Sequence, residues 1–197
     1  LALGDSITYG WESTDGNGYR YDLQQLSKSD GNTITYIGSI QAGTMADNWN
    51  DGYIGCVIDQ IASQSTPALA MKPQVVLLMA GTNDINYQED LANAPSRLST
   101  LITEILTYSP SAVILVAAIP LIEDSTLEPL AETYNSGVQS MLNTRIASGN
   151  KLVWVPRPSG WTTSDMADEL HPNDTGYSLL ATAWHTGIVS AQSKGWI

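Results

Sequence analysis

Two short segments, one near each end of the chain, hold the residue types that acyl transfer needs. Ser6 lies in Gly4-Asp5-Ser6-Ile7-Thr8, and His171 follows Asp168 by three residues. A serine hydroxyl becomes a nucleophile when an imidazole takes its proton, and a carboxylate on the other ring nitrogen orients that imidazole. Because Asp168 and His171 fall within one turn of chain, we expect the carboxylate to reach Nδ1 and to leave Nε2 free for Ser6.

Two further segments could stabilise the negative charge that develops on the carbonyl oxygen during such a reaction. Asn83, in Gly81-Thr82-Asn83-Asp84, has a carboxamide that donates hydrogen bonds. Gly55 comes just before a predicted helix, where backbone N–H groups lack partners within the helix. Each segment alone is also typical of a turn or a helix cap, as Ser6 is. Their occurrence in one order, each supplying a different part of one site, favours the catalytic interpretation.

Other kinds of hydrolase fit the sequence poorly. His185, the second of two histidines, is predicted to be a surface or packing residue on a helix. The chain has no His-x-x-x-His motif and a single cysteine, so we predict no metal, no cofactor and no internal disulfide. It also lacks the Gly-x-Ser-x-Gly motif of the α/β-hydrolases.

The elements that must position these residues alternate between apolar runs and segments of helical periodicity. Val75–Met79 and residues 113–119 are continuous apolar runs, typical of strands covered on both faces. Residues 34–37 are predicted to form the second strand, and residues 38–55 a loop rich in Gly and Asn. The pattern predicts one α/β domain over residues 1–197, with a parallel sheet between helices. Active sites of such folds lie beyond the carboxyl ends of the strands.

Composition narrows the range of partners. The net charge is −12 and only 14% of residues are charged, which disfavours nucleic acid and anionic membrane surfaces and favours neutral substrates. No apolar run approaches the roughly 18 residues of a membrane span. The acidic, lysine-poor composition leans towards secretion.

Several residues outside the motifs have a predicted role. Trp11, Trp49 and Trp161 lie in loops near the motifs in sequence and are candidates for stacking on sugar rings, although core packing is the alternative for each. Arg20 is predicted to form a structural ion pair. Asn173 begins a glycosylation sequon, but we favour its role as the N-cap of the closing helix.

Taken together, the motifs resemble the four sequence blocks of the SGNH, or GDSL-like, hydrolases. The matching segments are Gly4-Asp5-Ser6, Gly55, Gly81-Thr82-Asn83-Asp84 and Asp168-x-x-His171-Pro172. The resemblance extends over nearly the whole chain. It implies a flavodoxin-like three-layer α/β/α sandwich with a five-stranded parallel sheet.

The resemblance also implies a role for each site residue. Ser6 would be the nucleophile, His171 the general base and Asp168 its orienting acid. The backbone N–H groups of Ser6 and Gly55 and the side chain of Asn83 would form the oxyanion hole. Asp5 would brace the turn.

Finer features are similar to carbohydrate esterase family 3, whose members are acetylxylan esterases. They are residues 4–10, Gly18-Tyr19-Arg20, residues 36–39, residues 51–55 and residues 58–61. One departure is that Asp51 and Tyr53 stand where we expect histidines. The resemblance implies a carboxylic ester hydrolase that deacetylates xylan or a related plant polysaccharide. We also expect the protein to be secreted, as its composition suggests, and monomeric. The alternatives are a lysophospholipase or thioesterase of the same fold, and a carbohydrate-binding relative that has lost catalysis.

Overall fold

A computed structural model describes all 197 residues, which form one six-stranded sheet and seven α-helices. The strands are β1 (Ala2–Gly4), β2 (Ile40–Gln41), β3 (Trp49–Gly52), β4 (Val75–Met79), β5 (Val113–Ala117) and β6 (Leu152–Val155). The helices are α1 (Ser6–Tyr9), α2 (Tyr19–Ser29), α3 (Ile58–Leu69), α4 (Thr82–Tyr87), α5 (Ala94–Tyr108), α6 (Glu128–Ala147) and α7 (Asp174–Ser193).

The sheet has the order β2-β3-β1-β4-β5-β6. Five strands run parallel, as the sequence predicts, and the two-residue β2 adds an antiparallel edge. Gly4, at the end of β1, pairs with Gly52 of β3 on one side and Met79 of β4 on the other. The three strands therefore end level with one another, so the segments that follow them start from the same edge of the sheet.

Helices cover both faces of the sheet, which gives the expected three layers. Alternate side chains of β4 enter opposite cores: Val76 and Leu78 pack with α3, α5 and α6, whereas Leu77 and Met79 pack with α2 and α7. All five side chains of β5 are buried. No helix is both long enough and apolar enough to cross a membrane.

The prediction for the second strand is wrong. Residues 34–37 form no ladder, and β3 lies in the region predicted to be a loop. Its sequence contains no apolar run because Asn50 and Asp51 are buried polar residues. Asn50 Oδ1 accepts a hydrogen bond from the Gly52 amide, and Asp51 accepts one from the Tyr53 hydroxyl at 2.6 Å. These bonds offset the cost of burying the polar groups, which hydrophobic periodicity does not detect.

The prediction of an ion pair for Arg20 is also wrong. Its guanidinium is fully buried and has no acidic partner. It donates instead to four backbone carbonyls, those of Tyr9, Gly16, Ala42 and Asn48, at 3.0–3.2 Å. A planar fork of N–H donors suits several carbonyls at once, so one side chain joins the end of α1 to three separate stretches of loop.

Candidate active site

Four chain segments meet at the edge where the parallel strands end. Ser6 follows β1, Gly55 follows β3 and Asn83 follows β4, while His171 lies in the loop that precedes α7. The structure therefore brings the nucleophile candidate and its expected partners to one place, although they come from distant parts of the sequence.

Ser6, His171 and Asp168 form a continuous chain of hydrogen bonds. Ser6 Oγ lies 2.8 Å from His171 Nε2. On the other side of the ring, His171 Nδ1 lies 2.8 Å from Asp168 Oδ2 and 3.0 Å from Oδ1. Ser6 is 5% exposed, so the hydroxyl sits at the floor of the site rather than on an open surface.

The loop that contains His171 is fixed by its own hydrogen bonds. Asp168 Oδ1 accepts from the amides of Leu170 and His171 at 2.8 and 2.7 Å, which folds the segment into a tight turn. The Ala167 amide donates to the His171 carbonyl at 2.8 Å. Asp168 thus holds both the backbone and the ring of His171.

The same contacts control the ionisation of Asp168. Partial burial alone would raise the pKa of its carboxyl group. The Leu170 amide and the His171 ring and amide outweigh that effect and hold the pKa below its ordinary value. Asp168 is therefore an anion throughout the range in which an imidazole exchanges its proton, as an orienting carboxylate must be.

The turn that presents Ser6 is anchored to the start of α7. The Tyr177 hydroxyl donates to the Trp11 carbonyl at 2.5 Å. Asp174 accepts from the amide and the hydroxyl of Thr14 at 2.8 and 2.6 Å. The loop after Ser6 and the helix after His171 therefore cannot shift independently.

Asp5 braces the turn from inside, as the resemblance implied. Its Oδ1 accepts from the Ile7 amide at 3.0 Å and caps α1. Its Oδ2 is buried as well. Complete burial raises the pKa of Asp5 to about 6, against the opposing effects of the Ile7 amide and the Thr82 hydroxyl.

Three potential donors lie at this edge. Ser6 is the first residue of α1, and its amide and that of Gly55 make no hydrogen bond within the protein. Asn83 is 5% exposed, and its Nδ2 donates to the Cys56 carbonyl at 3.0 Å. That bond fixes the carboxamide against the Gly55 segment and leaves a second N–H on the same nitrogen. Gly55 has a φ of +74°, which side chains rarely tolerate.

Asp84 and Arg97 hold these donors in place, and no role for Arg97 was predicted. Asp84 Oδ2 accepts from the Ile58 amide at 3.0 Å, so it connects the Asn83 segment to the start of α3. Arg97 Nη1 lies 2.8 Å from Asp84 Oδ1. Asp84 could be noticed as the last residue of its motif, but no pattern connects it to an arginine on α5.

The three candidate tryptophans differ in their surroundings. Trp11 is 44% exposed and follows the Ser6 turn, so it stays a candidate for substrate contact. Trp49 is exposed but starts β3, at the other end of the strand from the site. Trp161 corrects the expectation, because its ring is buried in the core and its Nε1 donates to Met166 Sδ. It offers no free face for a sugar.

Asn173 caps α7, as predicted. Its Oδ1 accepts from the amides of Thr175 and Gly176 at 3.0 and 3.1 Å. Its Nδ2 donates to the carbonyls of Ser164 and Met166. No group of three or more His, Cys, Asp or Glu side chains is arranged to hold a metal ion.

Comparisons with known proteins agree with this fold. The family model for the GDSL-like lipase/acylhydrolase family matches residues 2–179, and the chain therefore belongs to that family. A search of curated protein sequences gave no match. Among solved structures, a Clostridium thermocellum family 3 carbohydrate esterase is 26% identical with a TM-score of 0.87, over 98% of this chain and 96% of its own.

Two more distant structures share the fold. A family 3 carbohydrate esterase from Talaromyces cellulolyticus is 20% identical with a TM-score of 0.82, over 98% of this chain and 97% of its own. A catalytic mutant of an acetylxylan esterase from Geobacillus stearothermophilus is 18% identical with a TM-score of 0.70, over 95% of this chain and 92% of its own. The expected class is confirmed: the chain is a carboxylic ester hydrolase.

The buried carboxyl group of Asp5 predicts a pH-dependent stability difference. Its pKa is about 6 in the folded protein and 3.8 in an ordinary environment. The folded state therefore holds the proton more tightly, and this contribution to stability is lost as pH rises through about 6. Asp5→Asn keeps a capping oxygen without a charge. The free energy of unfolding of Asp5→Asn minus that of the wild type should therefore rise by about 2–3 kcal/mol from pH 4 to pH 8.

Urea unfolding at both pH values measures this difference. Asp174→Asn is the control, because the Thr14 hydroxyl and amide hold the pKa of Asp174 below its ordinary value of 3.8. Its carboxyl group is therefore ionised in both the folded and the unfolded state over most of this range, and the stability of that variant relative to the wild type should change little between pH 4 and pH 8. A difference for Asp5→Asn that stays constant with pH would show that the carboxyl group does not titrate in this way.

Proposed function

We propose that this protein is a serine esterase that removes acetyl groups from carbohydrate. The observation that carries the proposal is the hydrogen-bonded series Ser6, His171 and Asp168, with a 2.8 Å contact between the hydroxyl and the imidazole. The similarity to a family 3 carbohydrate esterase over nearly the whole of both chains supports it.

In the first step, His171 Nε2 takes the proton of Ser6 as Oγ forms a bond to the ester carbonyl carbon. Asp168 stabilises the resulting imidazolium through Nδ1. The tetrahedral intermediate then collapses, the bond to the alcohol oxygen breaks, and His171 returns the proton to that oxygen. The alcohol departs and an acetyl group stays on Ser6.

In the second step, water replaces the alcohol. His171 takes a proton from the water molecule as the water oxygen attacks the acetyl carbon. The proton passes to Ser6 Oγ when the bond between Oγ and the acetyl carbon breaks. Acetate leaves and the enzyme is restored. In both steps the carbonyl oxygen becomes an oxyanion, which the amides of Ser6 and Gly55 and the Asn83 side chain would stabilise.

The proposed substrate is acetylated xylan or a related plant polysaccharide. The net charge of −12 suits a neutral polymer better than an anionic one. The exposed ring of Trp11 beside the Ser6 turn suits a carbohydrate with apolar ring faces. Secretion and a monomeric state stay predictions from the sequence.

Loss of the nucleophile tests the mechanism. Ser6→Ala should lower kcat for acetyl-ester hydrolysis by at least about 10⁴-fold, since no other group can form the acyl-enzyme. A serine-directed phosphonate should label the wild type once and should not label the variant. Ser63→Ala, an exposed serine on α3, is the matched control and should keep full activity. Esterase activity in Ser6→Ala comparable to the wild type would refute the mechanism.

Removal of one oxyanion donor should affect turnover rather than binding. Asn83→Ala should lower kcat by about 10²–10³-fold with little change in KM, because the interaction forms only as charge develops. Steady-state kinetics on an acetyl ester measures the change, with Asn143→Ala, an exposed asparagine on α6, as control. A rise in KM at constant kcat would instead assign Asn83 to ground-state binding.

Acyl-chain length tests the substrate class. Nitrophenyl esters should be cleaved progressively more slowly beyond the acetyl group, and acetate should be released from acetylated xylan faster than from acetylated pectin. Preference for long acyl chains would favour a lysophospholipase or thioesterase. Binding to xylan without esterolysis or phosphonate labelling would favour a carbohydrate-binding protein without catalysis.

A further inference from the structure

Two large apolar side chains lie exposed beside the proposed oxyanion hole. Ile54, which directly precedes Gly55, is 50% exposed, and Tyr87, the last residue of α4, is 57% exposed. Exposed large apolar side chains are usually scattered singly over a protein surface. Two of them beside one candidate site therefore suggest a contact surface.

Tyr87 and the segment that contains Ile54 meet although they follow different strands. Ile54 follows β3 and Tyr87 follows β4, and β1 lies between those two strands. The Tyr87 hydroxyl lies 3.7 Å from the position that a Cβ atom on Gly55 would occupy. Both residues therefore lie next to Gly55, at the sheet edge where β1 leads into Ser6.

The backbone after Tyr87 is held in a costly conformation. Gln88 and Asp90 have φ angles of +52° and +41°, which residues other than glycine rarely adopt. Arg97 Nη2 donates to the Glu89 carbonyl at 2.6 Å, and Nη1 pairs with the buried Asp84. Backbone strain of this kind persists only where the surroundings enforce it, and it concentrates at functional sites. Tyr87 is thus presented on a fixed support.

The Tyr87 hydroxyl has no hydrogen-bond partner in the protein, whereas the buried hydroxyls of Tyr53, Tyr134 and Tyr177 all donate to protein acceptors. An exposed phenol offers an apolar ring face and one polar group. A pyranose ring matches it, with C–H groups on its face and hydroxyls at its edge. A fatty acyl chain would instead require an enclosed apolar channel, and both side chains here are at least half exposed.

We propose that Tyr87 and Ile54 form a subsite for a sugar ring of the ester substrate, an inference that rests on the proposed carbohydrate esterase function. The phenol ring packs on the pyranose face, the Tyr87 hydroxyl bonds a sugar hydroxyl, and Ile54 extends the apolar contact. The subsite contributes to binding of carbohydrate esters and not to the chemical step.

The test compares two substrates for each variant: acetylated xylo-oligosaccharides and phenyl acetate, which has no sugar. Tyr87→Ala should lower kcat/KM for the oligosaccharide about tenfold, mainly through KM, and change that for phenyl acetate less than about twofold. Tyr87→Phe, which keeps the ring, should show a smaller loss on the oligosaccharide. Ile54→Ala should act in the same direction as Tyr87→Ala.

The control is Met71→Ala. Met71 is similarly exposed, at 51%, but lies before β4 at the opposite edge of the sheet. Its replacement should change kcat/KM for neither substrate. Equal losses on both substrates would place Tyr87 in the chemical step or the folding of the site, and no loss on either would leave the subsite without a function. Both outcomes overturn the inference. A wild type that cleaves phenyl acetate but no carbohydrate ester would instead refute the proposed function.

Discussion

The hydrogen bond between Ser6 and His171 depends on how firmly α7 is attached to the rest of the protein, because the two residues lie 165 positions apart. Rings of Tyr19 and Trp184 pack at 5.6 Å between α2 and α7, and His185 on α7 pairs with the residue that follows α2. Hydrogen bonds from the start of α7 to the loop after Ser6 complete the attachment. The geometry of the candidate triad is therefore a product of helix packing as much as of the residues themselves.

The donor side of the site depends on a different constraint, the level ends of three adjacent strands. Gly4 pairs with both Gly52 and Met79. The segments that follow these strands therefore start close together, and a few residues of each are enough to bring them into contact. The Asn83 side chain then bonds the Cys56 carbonyl, and Asp84 bonds the start of α3. Burial raises the pKa of Asp84, and the Ile58 amide and Arg97 oppose that effect. This buried acid links two segments that would otherwise be independent loops.

The sequence predicts the layers, the parallel strands and the residues that meet at the site, because apolar runs and motif spacing report these features directly. It fails where polar groups are buried. β3 is stabilised by hydrogen bonds of Asn50 and Asp51, and Arg20 is satisfied by backbone carbonyls, so neither has an apolar or charge-pairing signal. Trp161 shows a related limit, because its position near the His171 loop in sequence does not reveal which side of the loop its ring occupies.

The arrangement around Arg20 has a consequence for how these stretches of chain can move. One guanidinium closes hydrogen bonds to carbonyls of residues 9, 16, 42 and 48, so a displacement of any one of them removes a hydrogen bond from a buried cation. We therefore expect the four stretches to move together rather than one at a time. Since Tyr9 ends the short helix that begins with Ser6, any such collective motion would also reach the helix that presents the candidate nucleophile.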